Sequence, residues 1–300
     1  MDIDLTFLGT GSAIPTLKRN HSSIFLKYKG ENLLFDCGEG TQRQLKKARI
    51  NFMKLTKIFI THWHGDHVLG LPGLFQSLAL SDYDKVLHIY GPKGTSKFVK
   101  ELTKCFVSVN KIRVVAHEVS KKVFSCPDFF IESYSLNHSA NCVGYRFVER
   151  DKLRINKDKL SKFKFSKSDE KKIKNLCLGK DIRVNNKLVK SKDVTYLQVG
   201  KKIGFVFDSK VCDNAFKIAK GCDLLVCESS YSDSEEDLAK EYRHLTSRDA
   251  ASIAKRSGAK KLFLTHIGQR FDNKEGVLLS QARSVFKNSF VAKDLLKVVV

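Results

Sequence analysis

Three histidines and an aspartate fall within six residues of the sequence ITHWHGDHVLG at positions 60–70. Imidazole and carboxylate groups without thiolates are ligands that suit zinc or manganese. His62 and His64 could bind one ion, and Asp66 with His67 could bind a second ion beside it. A role in core packing is disfavoured, because neighbouring polar side chains in a core would each need a buried partner.

Two metal ions need more ligands than this turn offers. His138 follows the apolar run in YSLNH, Asp208 follows GFVF, and His266 follows LFLT. Ligands in α/β proteins bind outside the carboxyl ends of strands, so all three residues are expected at the edge that carries the histidine turn. Asp208 is a carboxylate and is the natural candidate to bridge the two ions.

The elements around these residues predict a layered α/β fold. KIFITH predicts a strand that ends at His62, and a helix is expected to begin just after His67. Short apolar strands alternate with amphipathic helices in both halves of the chain, which indicates sheets inside and helices outside. We expect a single domain over residues 1–300, since the chain is long enough for one large core.

Basic residues exceed acidic ones by 22, and about half of this surplus lies in residues 150–192, which contain sixteen Lys or Arg and five Asp or Glu. A disordered surface insertion is the simpler interpretation. The concentration of charge favours a protruding arm that binds phosphates, and nucleic acid is the commonest polyanion. The lysines expected to contact the substrate are Lys159, Lys162, Lys164, Lys167, Lys171 and Lys172.

The eight cysteines are scattered, and none forms a C-x-x-C pair. This spacing excludes zinc-ribbon and thioredoxin-type sites. No apolar run approaches the roughly 20 residues that a membrane helix needs, and no stretch resembles an export signal. We therefore expect a cytoplasmic protein with reduced thiols and no membrane partner.

The H-x-H-x-D-H turn, followed in order by a histidine, an aspartate and a histidine, resembles the metallo-β-lactamase superfamily. The resemblance implies an αββα sandwich of two mixed sheets with outer helices. It also implies a dinuclear zinc site, with two Zn²⁺ ions per chain. One ion would bind His62, His64, His138 and Asp208, and the other would bind Asp66, His67, Asp208 and His266.

Four further stretches resemble the ribonuclease Z family. FLGTGSAIPTLKRN at 7–20 resembles its opening loop, with Arg19 and Asn20 in place but Leu17 where the family has lysine. HSANCVGYR at 138–146 resembles the segment around the third histidine. CESSY at 227–231 resembles the H-E-A-T stretch with cysteine for histidine, and HLTSRDAASIAK at 244–255 resembles the H-S-T stretch.

This second resemblance implies an endoribonuclease that removes the 3′ trailer from precursor tRNA. Asp66 would handle the proton of the attacking water, and His244, oriented by Glu228, would protonate the leaving oxygen. Arg19, Asn20 and the lysines of the arm would bind the substrate. The family also implies a homodimer.

Two alternatives stay open from the sequence. Another metallo-β-lactamase-fold phosphodiesterase or an arylsulfatase would share the metal ligands but would have no use for the basic arm. A non-catalytic RNA-binding paralogue would be expected to have lost metal ligands, and here all seven positions are filled.

Overall fold

The computed structural model describes residues 2–105, 111–163, 165, 169–184 and 187–300, and of Glu170 and Lys171 it describes only the backbone. The chain forms two compact units. The first unit comprises Met1–Ser125, Ile131–Phe147 and Lys202–Val300, and the second comprises Cys126–Phe130 and Val148–Lys201.

The first sheet begins at the amino-terminal end of the chain, and its strands are numbered along the chain. Their spatial order is β18-β1-β2-β3-β4-β5-β6 in the described residues. Antiparallel pairing joins β18 through β3, and parallel pairing joins β3 through β6. The strands are β1 (Asp4–Gly9), β2 (Ser23–Tyr28), β3 (Glu31–Phe35), β4 (Lys57–Phe59), β5 (Val86–Gly91), β6 (Arg113–Glu118) and β18 (Lys297–Val299).

The second sheet has the order β17-β16-β15-β14-β9-β8-β7 within the described part of the chain. Its strands β14 through β17 pair in parallel. The strands are β7 (Lys122–Ser125), β8 (Phe129–Leu136), β9 (Cys142–Glu149), β14 (Lys202–Val206), β15 (Leu224–Glu228), β16 (Leu262–Thr265) and β17 (Ser289–Val291).

Helices of the first unit cover the outer faces of these sheets. Leu71 and Phe75 pack with Ile58 of β4 in one apolar cluster, and Ile253 packs with Leu264 of β16 in another. None of the helices that the structure describes is long and apolar enough to cross a bilayer. The helices are α1 (Thr41–Lys47), α2 (Gly65–Val68), α3 (Gly70–Ala79), α4 (Thr95–Lys104), α8 (Asp213–Ala219), α9 (Glu236–Tyr242), α10 (Ser247–Arg256) and α11 (Glu275–Val285).

Aromatic side chains fill the space between the two sheets. The rings of Phe35 on β3 and Phe205 on β14 stack with centroids 4.0 Å apart. The hydroxyl of Tyr145 on β9 donates a hydrogen bond to the carbonyl of Ile60 at 2.7 Å. The sheets therefore face each other with helices outside, which confirms the predicted αββα sandwich.

The second unit has a small apolar core of its own, formed by Leu176, Ile182, Val184, Val189 and Val194. It contains two antiparallel strand pairs, β10 with β13 and β11 with β12. The unit extends beyond the predicted arm of 150–192 at both ends. Its elements are β10 (Lys152–Ile155), α5 (Lys157–Leu160), α6 (Glu170–Cys177), β11 (Ile182–Val184), β12 (Lys187–Val189), α7 (Ser191–Val194) and β13 (Thr195–Gln198).

Candidate active site

The seven predicted metal ligands all follow strand ends of the first unit. The strand before the histidine turn, β4, ends at Phe59, so it stops earlier than the predicted end at His62. The next helix, α2, begins at Gly65 and includes His67, which was expected to precede the helix. His266 directly follows β16, which ends at Thr265. His138 and Asp208 follow in the same way, since β8 ends at Leu136 and β14 ends at Val206.

These residues fall into two groups that share Asp208. In each group the candidate ligand atoms lie within 4.8 Å of one another. The structure therefore brings together all seven residues in the two sets that the sequence predicted. The first set is His62, His64, His138 and Asp208, and the second is Asp66, His67, Asp208 and His266.

Ring nitrogens converge in the first group. The Nδ1 atom of His64 lies 3.0 Å from His62 Nε2 and 3.2 Å from His138 Nε2. Asp208 Oδ2 lies 3.6 Å from His62 Nε2 and 3.8 Å from His138 Nε2. Three imidazoles and one carboxylate thus face a common point, as the donors of a metal site do.

The second group has the same character. Its two imidazoles approach with His67 Nε2 3.3 Å from His266 Nε2. Asp208 Oδ1 lies 3.5 Å and 3.4 Å from these two nitrogens. That oxygen is buried and has no hydrogen-bond partner among the described residues. Buried carboxylate oxygens are rarely left unpaired, so a cation fits this position and the donor set suits a divalent metal.

The electrostatics of the cluster favour ionised carboxylates. Burial opposes the charge on Asp66, but His67 and His266 outweigh it and lower the pKa of the carboxyl below its usual range. Burial likewise opposes the charge on Asp208, and His266 with His67 lowers its pKa. Burial and the neighbouring His67 together lower the pKa of His62. The cluster therefore offers charged oxygens and at least one neutral imidazole, which are the forms that bind metals.

Asp36 is a site residue that the sequence analysis missed. Its Oδ2 lies 2.7 Å from His67 Nδ1, on the side of the ring opposite the metal-facing nitrogen. The amide of Thr61 donates to Asp36 Oδ1 at 2.7 Å. Asp36 and His266 have φ angles of 56° and 55°, a strained conformation that often occurs at functional sites. The signal was present in the sequence, because Asp36 directly follows a strand at the same sheet edge.

His244, the predicted general acid, contacts Glu228, the residue predicted to orient it. His244 Nδ1 lies 3.1 Å and 3.0 Å from the two carboxylate oxygens of Glu228. Burial opposes a charge on His244, but the Glu228 carboxylate outweighs it and raises the pKa of His244 to about 9. The His244 ring lies beside the cluster, with its centroid 5.2 Å from that of His138 and 5.6 Å from that of His266.

Arg19 and Asn20, the loop residues predicted to contact RNA, differ in burial: Arg19 is buried and Asn20 is half-buried. Arg19 is 2% exposed. Its guanidinium donates to the carbonyl of Ala292 at 2.8 Å and to Glu275 Oε1 at 3.0 Å. The side chain of Asn20 donates to the carbonyl of Glu39. In this conformation the guanidinium of Arg19 is buried, and its two terminal nitrogens donate to groups inside the protein, so it does not face solvent.

The predicted substrate-binding lysines belong to the second unit. Lys159 and Lys162 are exposed. Lys172 Nζ lies 2.8 Å from Asp169 Oδ1, so part of its charge is paired. Lys164, Lys167 and the side chain of Lys171 lie outside the described residues.

Comparison with known proteins shows which proteins share this fold. A family model described as anti-Pycsar protein Apyc1 matches residues 3–105. The metallo-β-lactamase fold protein YhfI from Bacillus subtilis superposes with a TM-score of 0.73 at 18% identity, over 100% of both chains. The likeness to YhfI shows that the chain has the metallo-β-lactamase fold, and the rim of histidines and aspartates is its candidate metal site.

Closer relatives define the family. Ribonuclease Z from Methanothermobacter thermautotrophicus is 38% identical over 99% of this chain and 97% of its own. The short form of human tRNase Z superposes with a TM-score of 0.71 at 29% identity, over 98% of both chains. The chain belongs to the ribonuclease Z family, and it is an endoribonuclease with a metal cofactor.

Proposed function

We propose that this protein is a zinc-dependent endoribonuclease that cleaves the 3′ trailer from precursor tRNA. The observation that carries the proposal is the pair of ligand groups that share Asp208, whose buried Oδ1 has no partner among the described residues. The match to ribonuclease Z relatives and to human tRNase Z supports tRNA as the substrate.

The two ligand groups would hold one Zn²⁺ ion each, with Asp208 between them. Imidazole and carboxylate donors without cysteine suit zinc, and manganese is the alternative that this donor set permits. When bound, the ions would polarise the scissile phosphate and lower the pKa of a water molecule.

Side chains of this protein would carry out the proton transfers of the reaction. Asp66 would orient the attacking water and accept its proton. The oxygen of the water forms a bond to phosphorus, and the bond from phosphorus to the 3′ oxygen of the tRNA breaks. His244 would deliver a proton to that departing oxygen, and Glu228 holds the His244 ring in place. The phosphate stays with the trailer, so the products are a tRNA 3′ hydroxyl and a trailer 5′ phosphate.

Binding of the RNA would rest on positive charge in the second unit. Residues 150–192 carry about half of the net charge of +22. Contacts of Lys159 and Lys162 with phosphates would raise affinity without sequence preference and would weaken as salt rises. Lys164, Lys167, Lys171 and Lys172 would add to this binding surface.

The contacts of Arg19 support a role other than binding the substrate. The contacts of Arg19 with Glu275 and with the carbonyl of Ala292 tie the loop after β1 to the carboxyl-terminal part of the first unit. We propose that Arg19 positions this loop. Asn20, which is half-buried, stays a candidate for contact with the substrate.

The family resemblance also suggests a homodimer. Two chains would pair so that the arm of one chain serves the site of its partner. Sedimentation at several protein concentrations tests the pairing, and a monomer at all concentrations would refute it.

The deciding experiment is incubation with precursor tRNA, with and without a chelator, followed by mapping of the product ends. The proposal requires metal-dependent cleavage that leaves a 3′ hydroxyl on the tRNA. A non-catalytic RNA-binding paralogue would bind the precursor and leave it intact. Another hydrolase of this fold would cleave a small diester or a sulfate ester and ignore the precursor.

A further inference from the structure

Two buried carboxylates flank the candidate ligands, and the first of them orients two histidines. Asp36 contacts His67 directly, with 2.7 Å between Oδ2 and Nδ1. It reaches His62 through a hydroxyl. Thr61 Oγ1 lies 2.8 Å from Asp36 Oδ2 and 3.1 Å from His62 Nδ1. Thr61 is fully buried, so water does not compete for these contacts.

Glu228 repeats this arrangement on the other side of the cluster. It contacts His244 directly, with 3.0 Å between Oε2 and Nδ1. It reaches His266 through the hydroxyl of Ser230. Ser230 Oγ lies 2.7 Å from Glu228 Oε2 and 2.8 Å from His266 Nδ1. Each carboxylate therefore holds one histidine directly and one through a hydroxyl.

The count of protons decides the direction of these hydrogen bonds. An ionised carboxylate can only accept, and a hydroxyl carries a single proton. The contact between Ser230 Oγ and Glu228 Oε2 uses that proton, so the contact with His266 needs a proton on Nδ1 of the ring. If Ser230 donated to His266 instead, two oxygens 2.7 Å apart would share no proton. The same reasoning puts a proton on His62 Nδ1, facing Thr61.

A neutral imidazole with a proton on Nδ1 has its lone pair on Nε2. In His62 the Nε2 atom faces Asp208 Oδ2 at 3.6 Å, and in His266 it faces Asp208 Oδ1 at 3.4 Å. These Nε2 atoms therefore face the carboxylate that the two ligand groups share. The hydroxyls thus select the tautomer in which each ring can bind a cation.

We infer that Thr61 and Ser230 are matched hydroxyl relays, positioning residues that hold His62 and His266 in the metal-binding tautomer, one for each ion. The inference rests on the metal centre of the proposed function. Partners of ligand histidines fix the orientation of the ring, and their loss typically lowers metal affinity by about 10- to 100-fold.

The chain offers two matched control residues. Thr265 precedes His266 as Thr61 precedes His62, and Ser229 is the neighbour of Ser230. The hydroxyls of Thr265 and Ser229 are buried, and neither has a hydrogen-bond partner among the described residues. Replacing Thr265 by Val or Ser229 by Ala removes a buried hydroxyl, as the relay variants do, but leaves the contacts of Thr61 and Ser230 intact.

The test compares zinc affinity, measured by competition with a chelator, in the full-length protein and its variants. Thr61→Val and Ser230→Ala should each lower affinity by about 10- to 100-fold. Thr61→Ser and Ser230→Thr keep the hydroxyl and should bind zinc with close to wild-type affinity. Thr265→Val and Ser229→Ala should leave it unchanged. Wild-type affinity in both relay variants, or equal losses in the two controls, would overturn the inference.

A second readout follows the tautomer itself. In zinc-loaded protein with ¹⁵N-labelled histidine, the Nδ1 proton of His266 should exchange with water faster in Ser230→Ala than in wild type. Circular dichroism of the metal-free variants separates a lost relay from a lost fold, and the conservative variants supply folded proteins in either case. An unchanged exchange rate in a folded Ser230→Ala protein would contradict the relay.

These measurements involve no RNA, so they test the relays separately from the proposed substrate. A wild-type protein that binds zinc but leaves precursor tRNA intact would refute the proposed function and still allow the relay test. A wild-type protein that binds no zinc would overturn both. A wild-type protein that cleaves precursor tRNA, with relay variants that keep its zinc affinity, would overturn only the relays.

Discussion

The Nδ1 atom of His244 lies 3.0 Å from Oε2 of Glu228, and the side chain of Glu228 is fully buried. The amide of Ser209 donates to the other carboxylate oxygen at 2.7 Å. The position of the Glu228 carboxylate is therefore fixed by a backbone contact that does not involve His244. This arrangement leaves Nε2 of His244 as the ring nitrogen that can face a substrate.

Replacing His244 by Ala should reduce the turnover of precursor tRNA by roughly 10²- to 10⁴-fold, the usual contribution of a general acid. Metal content and tRNA affinity should stay close to wild type. An aryl phosphodiester, whose leaving group needs little protonation, should lose much less rate. His117→Ala serves as the control histidine. Normal tRNA turnover in His244→Ala would remove His244 from the mechanism.

Replacing Asp208 by Ala should lower the metal content more than the loss of any other ligand, because Asp208 belongs to both groups. We expect about two metals per wild-type chain, as a dinuclear hydrolytic site requires, and less than one in the variant. Elemental analysis measures this. Asp213→Ala removes an exposed carboxylate nearby and should keep the full content. A metal-free wild-type preparation with full activity would contradict the metal centre.

Replacing Lys159 and Lys162 by Ala should weaken the binding of precursor tRNA and reduce its salt dependence. Each lost phosphate contact lowers the slope of log affinity against log salt by about one unit. Cleavage of a small chromogenic diester should not change, since such a diester has no further phosphates for the arm lysines to bind. The matched control is Lys97→Ala with Lys100→Ala, two exposed lysines of α4. Equal slopes in both double variants and wild type would refute the role of the arm.

Replacing Arg19 by Ala should lower the free energy of unfolding by about 2 kcal/mol, because it leaves the buried hydroxyl of Thr10 and the buried carbonyl of Ala292 without their donor. Denaturant titration measures this change. Lys18→Ala removes an exposed lysine that contacts Asn273 and should change stability little. Should Arg19→Ala keep wild-type stability and lose tRNA affinity, the original prediction of an RNA contact would stand.

Much of the site could be predicted because strand ends mark it in the sequence. Apolar runs before His138 and His266 show where strands stop, and parallel strands bring their carboxyl ends to one edge. The resemblance to the metallo-β-lactamase superfamily then implies how the ligands divide into two groups. The fold class follows from the same alternation of strands and helices.

The supporting contacts could not be predicted in the same way. Ser229 and Ser230 are adjacent serines, so the sequence does not distinguish them. Only the direction of each side chain from the backbone decides which hydroxyl contacts Glu228 and His266. Arg19 sits in a loop whose sequence suggests exposure, and its burial depends on Glu275 far along the chain. Such pairings depend on tertiary packing, which spacing in the sequence does not reveal.

The ligands are spread over most of the chain, from His62 after β4 of the first sheet to His266 after β16 of the second sheet. This separation has a consequence for the time at which the protein becomes active. During synthesis on a ribosome, the second ligand group is incomplete until His266 has emerged and β16 has joined its sheet. A nascent chain therefore has no finished catalytic centre, and the nuclease cannot cut nearby RNA before His266 has been translated and folded into place.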